Sequence, residues 1–218
     1  MSTRTIKFVE GEYYHVYNRG NSKQKIFHSK YDYLRFLEIL YFANSTEPFN
    51  TYNLHRTEVA TLVDEKHKLV AIGAYCLMPN HFHILLTPVV EDGISKFMQK
   101  LATAYAMYYN EKYERTGSLF EGKFKAEHIG TDRYLKYIFS YIHLNPVKLI
   151  DPKWKEEGIK NKKEVIKYLN DYEYSSYQNF LDSKVSKFEV VNRKPFPNYF
   201  PTEASFQKEI MEWIMYKE

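Results

Sequence analysis

The chain has 218 residues, 44% hydrophobic and 27% charged, a balance that excludes fibrous and disordered classes and suits one domain with an elaboration. A formal net charge of +4 and a pI near 8.8 tilt it towards polyanions without requiring one. The single cysteine, Cys76, excludes an internal disulfide and a cysteine metal cluster, and it reads as a small buried hydrophobe in a reducing compartment.

Met1 to Tyr14 carries Arg4, Lys7, Glu10 and Glu12 with no sustained apolar core, which argues against a secretory signal. No stretch approaches the roughly 20 apolar residues of a membrane span, so a soluble cytoplasmic protein is expected. Tyr13 to Tyr17 is β-branched and aromatic and stops at Asn18-Arg19-Gly20-Asn21, which reads as a strand and its exit turn. From Ser29 the spacing becomes helical, with Tyr33, Phe36, Leu37, Leu40 and Tyr41 in one stripe. Residues 44–67 have no clear period and read as a surface loop. Leu69 to Leu77 and His81 to Thr87 are apolar runs separated by Met78-Pro79-Asn80, hence adjacent strands.

A long helix follows from Ile94 to Tyr113, with Phe97, Leu101, Tyr105 and Tyr108 on one face, and then an extended or hairpin segment from Gly117 to Gly130. Thr131 is an N-cap for a helix running to about Leu144. Further helices are expected at Lys163 to Asn170 and at the C-terminus. The order β-α-β-β-α-β is that of a split βαβ, an α+β antiparallel sheet with helices on one face.

In a strand, residues i and i+2 share a face, so His81 and His83 project together while Phe82, Ile84 and Leu86 point to a core. Two neutral imidazoles so placed can chelate one metal ion, but the same spacing also suits histidines that merely line a half-buried strand. A third ligand and a reacting group would have to come from elsewhere. No H-E-x-x-H helix is present, so a metalloprotease reading has no support.

In Asp132 to Pro146, Leu135, Ile138, Phe139 and Ile142 form an apolar face at about 100° per residue. Tyr141 and Asn145, one turn apart, share the margin of that face. Pro146 disfavours helical geometry at Asn145, which should end the helix there and free the amide. Tyr141 equally fits a structural tyrosine, and with 21 tyrosines in the chain Tyr134 and Tyr137, then Tyr105, Tyr108 and Tyr109, are rivals.

Four ordered blocks, YHVYNRGNSKQKIF (Tyr14 to Phe27), MPNHFHILL (Met78 to Leu86), GSLFEGKFKA (Gly117 to Ala126) and YIHLNPVK (Tyr141 to Lys148), resemble the HUH-type single-tyrosine transposases of small bacterial insertion sequences. More narrowly they are similar to the branch associated with repetitive extragenic palindromes, as is DYEYSSYQNFL (Asp171 to Leu181). The resemblance covers roughly residues 8 to 182. It implies a ferredoxin-like catalytic domain over 1–150 with a C-terminal helical extension over 151–218. It also implies His81 and His83 as metal ligands, Asn145 as the third, Tyr141 as nucleophile, magnesium or manganese as the ion, and hairpin-bearing single-stranded DNA as substrate.

A phenol titrates near pH 10 and needs help to attack at neutral pH, which a Lewis acid at the scissile phosphate supplies. The product would be a 5′-phosphotyrosine and a free 3′ hydroxyl, open to reversal by another 3′ hydroxyl. For DNA contact, Arg19, Lys23 and Lys25 follow the first strand, and Lys123 and Lys125 interleave with Phe120 and Phe124, whose rings suit either base stacking or a buried edge. Two other readings stand beside this one: a catalytically silent hairpin-binding protein of DNA or RNA, and a metal hydrolase that activates water. The protein is expected to act as a monomer or homodimer.

Overall fold

The computed structural model describes residues 6–48, 67–181 and 188–215. Most of the aperiodic stretch 44–67, and residues 182–187 and 216–218, lie outside that description. Strands β1 (Tyr13–Arg19), β2 (Val70–Met78), β3 (His81–Pro88) and β4 (Lys125–Ile129) form one antiparallel sheet in the order β2-β3-β1-β4. This is the split βαβ order expected, with β3 inserted between β1 and β2.

Helices α1 (Lys30–Phe42) and α2 (Gly93–Lys112) make the two crossovers and pack on one face, where Val16, Phe82, Ile84 and Leu86 meet Phe36, Ile39, Phe97 and Leu101. Helix α1 begins with a capping box in which Asp32 accepts from the backbone N–H of Ser29 and of His28, both at 2.8 Å. The same buried carboxylate accepts from Lys112 Nζ (2.6 Å), Tyr113 (2.7 Å) and Tyr108 (3.0 Å), tying α2 to the start of α1.

The expectation of helices on one face holds only for these two. Helix α3 (Asp132–Leu144), capped by Thr131 as its sequence indicates, docks Leu135, Ile138, Phe139 and Ile142 on the opposite face. At about 1.5–3 kcal/mol per large apolar side chain, that burial outweighs the marginal stability of so short a helix alone. Short α4 (Trp154–Glu157), α5 (Lys162–Asp171) and α6 (Glu203–Met215) follow, and α6 lies on α3 through Lys136–Glu209 (2.6 Å) and the Tyr137–Trp213 rings (5.1 Å). Amphipathic α3 leaves a second apolar layer to cover, and the C-terminal segment supplies it.

The same segment protects the outer edge of β2. Leu77 N–H donates to the Tyr174 carbonyl (2.9 Å), Tyr75 N–H to Ser176 Oγ (2.9 Å), and the Tyr172 hydroxyl to the Leu77 carbonyl (2.6 Å). Within β2 the register slips at Ile72/Ala74, because Gly73 bulges beneath the Phe196 ring, which a Cβ there would approach to 2.9 Å. Among the described residues no helix is long and apolar enough to cross a membrane.

Burial pushes the Asp32 carboxyl up, but hydrogen bonds from Lys112, Tyr113 and the backbone at His28 and Ser29 pull it well below the usual carboxylate range. A depressed folded-state value stabilises above the unfolded value, near pH 4, and that contribution fades as pH falls towards the folded one. Asp32→Asn should therefore lower the unfolding free energy by about 3 kcal/mol at neutral pH. Urea titrations between neutral and acid pH should show the difference from wild type shrinking below about pH 4.

Candidate active site

Strand register brings the polar side of the sheet together. Tyr17 pairs with His83 and Arg19 with His81, while on the other side of β1 Glu127 pairs with His15 and Lys125 with Tyr17. Alternation sends all these side chains to the α3 face, opposite the core that Phe82 and Ile84 enter. The loops at this end are laced together: Gly20 N–H donates to the Asn80 carbonyl (2.8 Å) and Asn21 N–H to the Leu119 carbonyl (2.8 Å). Only glycine fits at 20, since a Cβ would stand 2.3 Å from the Gln24 carbonyl oxygen.

Each histidine of the pair has its Nδ1 engaged. His81 Nδ1 lies 2.6 Å from Asn80 Oδ1, and Asn80 Nδ2 donates to the Lys23 carbonyl (3.2 Å), so the amide oxygen faces the ring and can only accept. Nδ1 of His81 therefore carries the proton, and its Nε2 presents a lone pair. His83 Nδ1 lies 2.9 Å from Nε2 of a third histidine, His15, which the sequence spacing did not single out.

Tyr141 projects from α3 onto these rings, edge-on to His83 at 5.6 Å and to His15 at 5.8 Å between centroids. One turn on, Asn145 Nδ2 donates to the Tyr141 carbonyl (2.8 Å), while Asn145 Oδ1 is buried with no hydrogen-bond partner. A buried polar atom left unpaired costs about 1–3 kcal/mol, so this oxygen calls for an occupant. Helix α3 ends at Leu144, yet Asn145 keeps helical angles (φ −55°, ψ −39°) despite Pro146, and the chain runs on in a tight 3-10 turn whose Pro146 and Val147 are buried. Packing there overrides the local preference.

The rival tyrosines go elsewhere. Tyr105, Tyr108 and Tyr109 belong to α2 on the far face, with hydroxyls on the Ile26 carbonyl, Asp32 and the Lys25 carbonyl. Tyr134 donates to Glu127 (3.2 Å), and Tyr137 lies between the rings of Tyr134 and Tyr141.

Burial holds His81 at about 4, with Lys148 and Arg19 adding to the effect, and burial followed by His15 and His81 pushes His83 well below its ordinary value. His15 is held at about 4 by burial against the pull of Glu127. All are neutral at neutral pH, the state in which imidazole binds a metal. Burial, then Tyr137, pushes the Tyr141 phenol up, against a smaller pull from Asn145. The ammonium of Lys155, from α4, sits 4.3 Å from the Tyr141 ring centroid.

The family model described as transposase, IS200 like, matches residues 8–145, well over half of the chain. The chain belongs to that family. It is a single-tyrosine transposase of the HUH class, a DNA-binding enzyme of transposition and recombination. A solved structure of a REP-associated tyrosine transposase bound to a REP hairpin superposes with a TM-score of 0.50 and 16% identity, covering 88% of this chain and 98% of that one, which speaks for the shared fold. No curated protein matches.

Among the described residues of the transposase, no three His, Cys, Asp or Glu side chains group as a metal cluster. Of the basic residues expected at DNA, Arg19 lies beside His81 but is paired with both carboxylate oxygens of Glu121, while Lys23, Lys25, Lys123 and Lys125 are exposed. The two phenylalanines do not present free rings. Phe120 is 6% exposed and packs against Phe82, and Phe124 is half-buried and stacked on Phe8. Of the two readings the sequence leaves open for Phe120, its burial favours the core edge over base stacking.

Spacing along the chain gave no signal for His15, Tyr17, Glu127 or Lys155. Only the β1 block of the family pattern contains the first two. Phe120→Ala should lower stability by about 3 kcal/mol or more in urea unfolding. Lys125→Ala should leave stability within about 0.5 kcal/mol and flatten the salt dependence of single-strand binding. Loss of DNA affinity in a folded Phe120→Ala protein would put that ring at the DNA after all.

Proposed function

We propose that the transposase cuts hairpin-bearing single-stranded DNA by forming a 5′-phosphotyrosine on Tyr141, with a divalent ion held by His81, His83 and Asn145. The observation that carries this is the Tyr141 ring edge-on to His83 at 5.6 Å, beside the partnerless Oδ1 of Asn145. Two imidazoles and an amide oxygen fit a divalent cation, and imidazole favours manganese over magnesium. The ion, when bound, supplies Lewis-acid polarisation of the scissile phosphate.

The protein's own groups do the rest. The Tyr141 oxygen attacks the scissile phosphorus in line, the bond from phosphorus to the 3′ oxygen breaks, and the leaving strand takes up a proton as its 3′ hydroxyl. The phenolic proton passes to solvent, because Glu127 already accepts from Tyr17 (2.8 Å) and Tyr134 (3.2 Å). A second 3′ hydroxyl reverses the step, which transfers a strand rather than hydrolysing it. Lys155 over the ring favours the phenolate and the phosphate that replaces it. Arg19, Lys148 and Lys125 form a basic rim suited to the DNA backbone.

Residues 1–150 carry the chemistry in this reading. The described part of the extension over 151–218 braces α3, as the contacts of α6 with Lys136 and Tyr137 support.

With end-labelled hairpin single strands and manganese, wild type should yield a protein-linked label on a denaturing gel, and Tyr141→Phe none. Lys155→Ala should slow adduct formation about tenfold without abolishing it. Cleavage that persists in Tyr141→Phe would point to water as nucleophile, and binding without cleavage to a recognition protein.

A further inference from the structure

We infer that His15 is a positioning residue for His83: it accepts a hydrogen bond from His83 Nδ1–H and so keeps the Nε2 lone pair of His83 open to a divalent cation. This rests on the metal role proposed for the histidine pair.

The two rings are buried, nearly parallel (24°) and 5.0 Å apart between centroids, with His15 Nε2 2.9 Å from His83 Nδ1. Their register makes them diagonal neighbours on one face, His15 opposite Leu85 and His83 opposite Tyr17. Two neutral imidazoles at that distance share a single proton between the facing nitrogens, so only two arrangements exist. If His15 Nε2 donates, His83 must carry its own proton on Nε2 and offers no lone pair to an ion. If His83 Nδ1 donates, Nε2 of His83 is free and His15 is protonated on Nδ1.

Glu127 selects between them. Its Oε2 lies 3.9 Å from His15 Nδ1, a buried nitrogen with no hydrogen-bond partner. An N–H pointed at a carboxylate is attracted, whereas a lone pair pointed at it is repelled. Glu127 is itself held by the hydroxyls of Tyr17 and Tyr134. The chain Glu127, His15, His83 therefore sets the tautomer of His83, as Asn80 sets that of His81. Two different devices give both histidines the same open nitrogen.

Manganese titrations followed by the EPR signal of the free ion, on wild type, His15→Phe, His15→Gln and His83→Ala, test this together with long-range proton–nitrogen NMR of the metal-free wild type. The NMR should show His83 protonated on Nδ1. His15→Phe keeps an aromatic ring without an acceptor and should bind manganese about 10–100-fold more weakly with little change in Tm. In His15→Gln, the side-chain oxygen should restore part of that loss, which a purely structural role would not produce. His83 protonated on Nε2, or wild-type affinity in His15→Phe, would overturn the assignment. Should His15→Phe fail to fold, the wild-type NMR decides alone. Manganese binding in wild type that His83→Ala leaves intact would instead count against the metal role of the pair.

Discussion

Alternation along one β-strand governs this molecule. In β3 the even-numbered positions Phe82, Ile84 and Leu86 enter the core beneath α1 and α2, while His81 and His83 face α3. A one-residue slip in register would exchange the two sets, burying imidazoles among phenylalanines and exposing apolar rings where chemistry is proposed. Pairing with β1 on one side and β2 on the other holds that register over the length of the strand. The Asn80 turn anchors its start, through the Gly20 N–H bond to the Asn80 carbonyl.

The second face is finished by an added layer. Helix α3 alone would cover the histidines with one apolar stripe and leave its outer side exposed. Helices α5 and α6, with Tyr177, Phe180, Phe196 and Phe200, enclose it, and bonds from Tyr172, Tyr174 and Ser176 close the β2 edge. The tyrosine helix is thereby held from the sheet side and from the outside at once. Rigid support of this kind suits the in-line attack proposed for Tyr141, because the rate of such a step falls steeply when the reacting atoms are misplaced. The arrangement costs stability locally, in a partnerless Asn145 oxygen and buried imidazoles held uncharged, which is the usual pattern where a fold carries chemistry.

What the sequence disclosed follows from the range of the contacts involved. The order of strands and helices, the Thr131 cap and the pairing of His81 with His83 or Tyr141 with Asn145 all depend on residues within one element, where period alone fixes the face. His15 is 68 positions from His83 and meets it only through strand register, and Lys155 reaches Tyr141 through the turn after α3. Neither relation has a local signature. Phe120 stayed ambiguous for the same reason: a phenylalanine among lysines suits either base stacking or a buried edge until its burial against Phe82 shows which way it turns. The second helical layer was also illegible, since nothing in the spacing of α6 says that α3 is its partner.

The convergence of His81, His83 and Asn145 on one cation is the claim on which the chemistry depends. Crystals of the transposase soaked in manganese, with diffraction recorded at its absorption edge, test it directly. The expected result is a single strong anomalous peak within bonding distance of Nε2 of both histidines and Oδ1 of Asn145, next to the Tyr141 hydroxyl. A peak held by other side chains, or none at full soaking concentration with the histidine face open to solvent, would contradict it.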